Sequence, residues 1–146
     1  MMPIGPFHVG SGSELHGLLA GLSQGRWIIW NQYPLCIGEH NEPQPDLMLI
    51  RPPVKKHRQA HPTPEDVLLL VEISDTTLRK DREVKLPLYA KAGIEEVWIW
   101  NVLEKQIEVY REPNYLGYAV KSVMREGKLA PAAFPDAEID VEEWLQ

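Results

Sequence analysis

Apolar residues recur at the spacing of a helix in two parts of the chain. Leucines at positions i, i+3, i+4 and i+7 of residues 12–22 predict a helix, and Ser13 is a suitable N-cap. Residues 80–92 predict a second helix, which ends before Gly93, a residue able to adopt the left-handed conformation of a C′ position. Pro87 lies inside this second helix and predicts a kink, because proline has no backbone N–H to donate.

The remaining apolar segments predict strands. Residues 67–73 (VLLLVEI) are the most apolar run and do not alternate, which is typical of a central strand buried on both faces. The polar segment 52–66 that precedes this run is predicted to be a loop. The order of helix, strands, helix and strands indicates a mixed α/β (α+β) domain with a sheet covered by helices, and we expect a single domain over residues 1–146. Residues 26–37 predict one or two strands, broken by Pro34, and further strands are predicted in residues 45–51, 97–102, 106–111 and 116–125.

The composition is that of an ordinary globular protein. The 146 residues are 44% hydrophobic and 25% charged, which excludes the disordered, collagen-like and coiled-coil classes. No apolar run reaches the ~18 residues of a membrane helix, and no signal peptide is recognisable. We therefore expect a cytoplasmic protein without a membrane partner. The single cysteine, Cys36, excludes a disulfide framework.

Positive charge is concentrated in one part of an acidic chain. The net charge is −6, yet residues 51–91 hold nine lysines and arginines against six acidic residues, a local charge of nine minus six, or +3. Local charge governs the field around a cleft, so an acidic chain can still present a basic surface to a polyanion. A solvated basic loop is the alternative that the charge pattern leaves open.

Two carboxylates stand out against this background. Glu72 lies inside the most apolar strand, where a charge costs several kcal/mol unless it is paired or bound to a metal. Asp46 opens the preceding strand, and in an antiparallel pair the start of one strand meets the end of the other. Two facing carboxylates favour a bound Mg²⁺ or Mn²⁺. A buried ion pair for Glu72 and a simple strand-entry turn for Asp46 are the structural alternatives.

A lysine follows on the second predicted helix. Lys85 lies four residues after Asp81, and the helix can bring the lysine back over the end of the Glu72 strand. A lysine beside a metal-bound carboxylate pair can orient a water molecule or stabilise charge on a phosphate. The alternative is a surface salt bridge with Asp81, worth a few tenths of a kcal/mol.

This order of residues resembles the PD-(D/E)XK nuclease superfamily and, within it, the Uma-two family of restriction-endonuclease-like proteins. The resemblance is carried by QPDLMLIRPP (44–53), by HPTPEDVLLLVEISDTTLRKDREVKLPLYAKAGIEEVWIWNV (61–102) and by IEVYREP (107–113). It implies a restriction-endonuclease-like mixed sheet flanked by helices. It also implies a metal-dependent endonuclease that hydrolyses DNA. The alternative is a catalytically silent module of the same fold that serves in binding or assembly.

The resemblance implies roles for the three residues that the pattern singled out. Asp46 and Glu72 would be metal ligands for Mg²⁺ or Mn²⁺, with the Ile73 carbonyl as a third ligand, and Lys85 would be the catalytic lysine. The superfamily usually places its lysine two residues after the glutamate, a position that Ser74 occupies here. The family moves the lysine to the following helix, where Lys85 is the matching residue.

Further residues are expected to support this site. Ser74 and Asp81 match a serine and an aspartate that we expect to order the turn from strand to helix. Gln32 is expected on the strand before Asp46, with a surface amide as its alternative. His8 ends a family-like segment, MPIGPFH (2–8), and is a weaker candidate because it lies near the terminus. The basic side chains expected to contact the DNA backbone are Lys55, Lys56, Arg58, Arg79, Lys80 and Arg82.

We also expect a homodimer. Relatives carry a helix and strands before the MPIGP-like segment, and this chain is expected to lack them. A sheet edge left bare in this way favours pairing with a second copy. The five tryptophans are expected to serve in core or interface packing rather than in base stacking.

Overall fold

The computed structural model describes residues 6–75 and 78–145 of the chain. No helix among these residues is long and apolar enough to cross a membrane. In chain order the elements are α1 (Pro6–Leu22), β1 (Ile28–Trp30), β2 (Leu47–Ile50), α2 (Val54–Gln59), a 3-10 turn (Pro64–Asp66), β3 (Val67–Ser74), α3 (Leu78–Lys80), a π-helical turn (Asp81–Lys85), α4 (Leu86–Ala92), β4 (Glu96–Asn101), β5 (Gln106–Asn114), β6 (Gly117–Met124), β7 (Lys128–Leu129), β8 (Ile139–Asp140) and α5 (Val141–Leu145).

The described strands form a mixed sheet with the order β1-β2-β3-β4-β5-β6, and β7 pairs separately with β8. Within the larger sheet β3 and β4 run parallel, whereas every other neighbouring pair is antiparallel. The parallel pair requires a crossover, and α3, the π-helical turn and α4 supply it. The C-terminal ends of β3 and β4 therefore lie at the same end of the sheet. The expected mixed α+β sheet is confirmed.

Helices cover both faces of this sheet. Leu15 and Leu19 of α1 pack on the first face together with residues of β3 and β4. Leu86 and Tyr89 of α4 pack on the second face against the alternate residues of the same strands. All residues of β3 are buried, because both faces of this strand are covered. The prediction of a central strand in this position is confirmed.

Tryptophans build much of the first face. Trp98 and Trp100 of β4 lie with their ring centroids 6.4 and 4.4 Å from that of Trp144 in α5. Trp27 is also buried in this cluster, with an exposed fraction of 4%. The expected packing role is confirmed for these rings, which are buried within the chain itself.

Two local predictions near the N-terminus differ from the structure. The described part of helix α1 runs from Pro6 to Leu22, so Ser13 lies inside the helix and is not its N-cap. The strand predicted over residues 26–37 is confined to Ile28–Trp30, because the chain turns at Gln32, which has a φ of 51°.

The segment 52–66 is not a loop throughout, as it contains α2 and the 3-10 turn. Thr63 and Asp66 form a capping box around the 3-10 turn, in which each side chain bonds the backbone of the other residue. His57 of α2 donates from Nε2 to the Arg51 carbonyl at 2.8 Å. These contacts stabilise α2 and the 3-10 turn, which the polar sequence of this segment does not predict.

The helix predicted over residues 80–92 is interrupted in the way that Pro87 suggests. A π-helical turn occupies Asp81–Lys85, and the Leu86 N–H bonds the Asp81 carbonyl five residues back. Pro87 then lies in the first turn of α4, where a missing N–H is tolerated. Helix α4 ends at Gly93, whose φ of 85° is the left-handed conformation expected of a C′ residue.

Candidate active site

Asp46 and Glu72 meet at the end of the sheet where β2 begins and β3 ends. Leu47 lies opposite Val71 in the antiparallel pairing of the two strands, so the residues next along each strand, Asp46 and Glu72, oppose each other. The Asp46 Oδ2 accepts a hydrogen bond of 2.8 Å from the Ile73 N–H. The structure thus brings both carboxylates to the same end of the sheet, as the antiparallel pairing implied.

Glu72 faces the second side of the sheet, where the π-helical turn and α4 cover it. Its side chain is 3% exposed, and each carboxylate oxygen has a donor. Lys85 Nζ lies 2.9 Å from Oε2, and the Tyr89 hydroxyl donates to Oε1 at 3.1 Å. Burial raises the pKa of Glu72 to about 8; the ammonium of Lys85 opposes this change, and the carboxylates of Asp46 and Asp81 add to it.

Lys85 bridges two carboxylates. Besides Glu72, its Nζ lies 3.2 Å from Oδ1 of Asp81. Burial lowers the pKa of Lys85, but the charges and hydrogen bonds of Glu72 and Asp81 outweigh burial and raise it above its ordinary value. Lys85 is therefore a firmly charged ammonium, and the i,i+4 contact with Asp81 exists alongside the contact with the strand.

Ser74 and Asp81 connect the end of β3 to the π-helical turn. The Ser74 hydroxyl donates to Oδ2 of Asp81, and both side chains are buried. Asp81 thereby contacts the strand through Ser74 and the lysine through its other oxygen. These are the contacts expected of residues that order the turn from strand to helix, and their effect on activity stays a prediction.

Gln32 lies beside the site but is not part of a strand. It follows β1 in a left-handed turn and is exposed, and its backbone N–H donates to the Pro45 carbonyl at 3.1 Å. Gln32 therefore approaches Asp46 through its backbone, which corrects its expected place on the strand. His8 lies in α1, but its side chain is outside the part of the chain whose side chains are described.

The expected DNA-contacting residues divide into two groups. Helix α2 follows the C-terminal end of β2, so Lys55, Lys56 and Arg58 lie at the opposite end of the sheet from Asp46. The five steps along β3 from Val67 to Glu72 separate these ends by ~16 Å. The structure does not bring this group to the site. The second group, in α3 and the π-helical turn directly after β3, comprises Arg79, Lys80 and Arg82.

Two of these cations already hold buried carboxylates. Lys56 Nζ lies 2.5 Å from Oδ1 of Asp66. Arg82 forms a two-point ion pair with Glu108, a residue of β5 with no exposed surface. Without Lys56 and Arg82 the buried charges of Asp66 and Glu108 would have no opposite charge beside them. These two cations therefore stabilise the fold, whether or not they also contact DNA.

Sequence reasoning missed Tyr89 and the pair of Arg82 with Glu108. Tyr89 lies four residues after Lys85, so the i,i+4 spacing that linked Asp81 to Lys85 extends one step further along the helix. That spacing was a usable signal. Glu108 carries no comparable signal, because its place beside the site depends on the pairing of β3, β4 and β5.

The donor atoms at this end of the sheet suit a hard divalent cation. The carboxylates of Asp46 and Asp81 raise the pKa of Glu72, whereas Lys85 is the cation bound between Glu72 and Asp81. Mg²⁺ or Mn²⁺ would offset this repulsion between carboxylates. In the described part of the chain no group of three or more His, Cys, Asp or Glu side chains is arranged to hold a metal. A backbone carbonyl, such as that of Ile73, would therefore be needed with the two strand carboxylates.

Comparisons with known proteins agree with this fold. The model of the Uma2 family, described as "Putative restriction endonuclease", matches residues 1–142. Among solved structures, a protein of Anabaena variabilis described as a "putative nuclease belonging to DUF820" has a TM-score of 0.72 and 15% sequence identity, and the alignment covers 99% of this chain and 83% of that one. At this identity the structural likeness shows the fold. A search of curated proteins gave no match.

Proposed function

The chain belongs to the Uma2 family of putative restriction endonucleases, and we propose that it is a metal-dependent endonuclease that hydrolyses phosphodiester bonds of DNA. The observation that carries the proposal is the meeting of Asp46, Glu72 and Lys85 at one end of the sheet. Carboxylates and a charged lysine in this arrangement are the groups that phosphodiester hydrolysis needs, because negative charge develops on the phosphate in the transition state.

In this proposal Asp46, Glu72 and the Ile73 carbonyl would hold Mg²⁺ or Mn²⁺. When bound, the cation would stabilise charge at the scissile phosphate and lower the pKa of the attacking water. Lys85 remains protonated because two carboxylates hold its charge. It therefore donates hydrogen bonds to the attacking water or to a phosphate oxygen, and does not act as the base.

Ser74 and Asp81 hold this lysine in place. Asp81 accepts from Ser74 on the strand and contacts Lys85 four residues along the chain. The lysine is thereby fixed relative to Glu72 before any substrate arrives. Arg79 and Lys80, which are exposed beside this turn, supply contacts to the DNA backbone.

One observation favours the second candidate, a catalytically silent module of the same fold. Both oxygens of Glu72 already have donors, Lys85 and Tyr89, so the polar network is complete without a cation. A buried glutamate kept for structure alone would have the same contacts. The two functions differ in whether the site binds a divalent cation.

The test compares Glu72→Gln with Glu96→Gln in cleavage of plasmid DNA with Mg²⁺ or Mn²⁺. Glu96 is a matched control, since it is also a buried strand glutamate with all its donors, but it lies on the first face of the sheet. We expect the parent and Glu96→Gln to cut DNA and Glu72→Gln to lose cleavage, because glutamine keeps the shape but loses the charge that holds the cation.

A second measurement in the same test is the melting temperature. Mg²⁺ should raise it in the parent and in Glu96→Gln, but not in Glu72→Gln, because a ligand that binds the folded state stabilises it. If Mg²⁺ leaves the parent's melting temperature unchanged and no DNA is cut, the chain is the silent module and the nuclease proposal fails.

A further inference from the structure

A cationic surface on β6 has no part in the site described above. Lys121 lies in β6 and Arg125 directly follows it, and both side chains are exposed. They are four positions apart, on either side of Val123, and the contact of Arg125 with Gln106 places Arg125 on the same face of the sheet as Lys121. We call these two residues the β6 cations.

Strand pairing places the β6 cations on the same face as Glu72. Glu72 pairs with Ile99, Ile99 with Glu108, and Glu108 with Val123, which makes one row across β3, β4, β5 and β6. Contacts agree with this register. Lys121 Nζ lies 5.6 Å from the ring centroid of Tyr110, the residue opposite it in β5.

Arg125 also lies at the end of the sheet that carries the site, whereas Lys121 lies further into the sheet, in the row of Val97 and Leu70. Arg125 donates from Nη2 to Oε1 of Gln106 at 2.6 Å, and Gln106 pairs with Asn101 at the C-terminal end of β4. Asn101 in turn lies opposite Ser74 at the end of β3. Three strand spacings separate β3 from β6, or ~14 Å, which corresponds to about four base-pair steps along duplex DNA.

The charge of the β6 cations is not cancelled by the carboxylate beneath them. Arg82 pairs with Glu108 in two places, so that carboxylate is already compensated. The partner of Arg125 at Gln106 is a neutral amide. Glu126, which is exposed in the turn after Arg125, contributes one negative charge against the two positive charges of the β6 cations. The surface therefore keeps a local positive charge in a chain of net charge −6.

We propose that Lys121 and Arg125 bind the phosphate backbone of the DNA substrate on the β6 side of the Glu72 site. The inference rests on the proposed nuclease function. It replaces the role first expected of Lys55 and Arg58, which lie at the other end of the sheet. Contacts of this kind position the duplex over the site without reading its sequence.

The test measures binding of a fluorescein-labelled 30-base-pair duplex by anisotropy, in EDTA so that the DNA stays intact, over a range of salt concentrations. The double variant Lys121→Gln/Arg125→Gln is compared with Lys55→Gln/Arg58→Gln, a control that removes the same charge at the far end. Two lost phosphate contacts should make the negative slope of log K against log salt shallower by about 1.8. The control should keep the parent's slope.

Conservative replacement separates charge from packing. The variant Lys121→Arg/Arg125→Lys should bind with the parent's slope, because it keeps both charges. If the parent binds DNA and Lys121→Gln/Arg125→Gln keeps the parent's salt slope, the β6 assignment is wrong while the nuclease proposal stands. If the parent binds no duplex at all, both proposals fail for this substrate.

Discussion

Glu72 is a carboxylate in a strand whose every residue is buried, and its protonation is therefore linked to folding. Its pKa is about 8 in the folded chain, against the ordinary 4.5 that applies when the chain is unfolded. Between these values the folded state binds more protons than the unfolded state. The contribution of Glu72 to the free energy of unfolding is therefore present at low pH and is lost as the pH rises through this window.

Removing this carboxylate should change how stability depends on pH. We expect Glu72→Gln, measured by urea unfolding in EDTA, to match the parent near pH 5 and to exceed its stability by on the order of 3 kcal/mol at pH 8.5. In the variant the ammonium of Lys85 still has Asp81 as an ion-pair partner, so the substitution does not leave an unpaired buried charge. A difference that is constant from pH 5 to pH 8.5 would contradict the account of Glu72.

Tyr89 orients the Glu72 carboxylate through its hydroxyl. Tyr89→Phe removes that donor while keeping the ring, so we expect Mg²⁺ affinity, measured by calorimetry, to fall by about tenfold or more. Tyr110→Phe is the matched control, because Tyr110 donates to the buried Glu108 at 2.6 Å outside the site. Both variants should lose about 1 kcal/mol of stability. Equal Mg²⁺ affinities for the two variants would make Tyr89 a purely structural residue.

At the scale of elements, the site depends on the helix that crosses from β3 to β4. Its π-helical turn lets Asp81 reach Ser74 and Lys85 reach Glu72, both on β3, while Arg82 reaches Glu108 on β5. Such turns lie at functional sites in many helices. Pro87 supports the irregular turn, since a proline at this position cannot donate to the helix that precedes it.

Replacing Pro87 should regularise this helix and move the lysine. We expect Pro87→Ala to retain or raise the melting temperature, because alanine restores a donor and has a higher helix propensity. Cleavage should fall by on the order of tenfold to a hundredfold, since small displacements of a catalytic group are costly. Val84→Ala is the control, because Val84 lies exposed in the same turn. Cleavage by Pro87→Ala at the parent's rate would show that the turn has no part in placing Lys85.

The same elements show which parts of the fold were predictable. Strands β3 to β6 follow from apolar or alternating residues bounded by turn residues, and Gly93 and Pro87 marked the end and the irregularity of the crossover helix. Helix α2 could not be predicted, because its polar sequence is held by tertiary contacts such as that of His57 with the Arg51 carbonyl. Such tertiary contacts cannot be predicted from the local sequence.

For the site, Asp46, Glu72 and Lys85 could be predicted from the sequence. A charge inside an apolar run marks Glu72, the start of the preceding strand marks Asp46, and the i,i+4 spacing from Asp81 marks Lys85. Lys55 lies at the other end of the sheet from these residues, a position that proximity along the chain does not reveal, and its contact with DNA stays a prediction. The strand register that brings Glu108 and Lys121 onto the face of Glu72 appears only in three dimensions.

At the scale of the whole molecule, the expected homodimer stays a prediction. Trp98, Trp100 and Trp144 pack together within one chain, so they no longer argue for an interface. The remaining argument is the sheet order, in which β1 and β6 are the outer strands of the described part. Light scattering should give twice the monomer mass of 16.7 kDa, and a monomer at tens of micromolar would rule the dimer out.

Anomalous diffraction from crystals soaked in Mn²⁺ shows whether Asp46 and Glu72 hold a divalent cation. We expect a single strong anomalous peak about 2.1 Å from an oxygen of each carboxylate, and no such peak in Glu72→Gln crystals soaked in the same way. A parent crystal with no peak between these two side chains at millimolar Mn²⁺ would exclude this metal site.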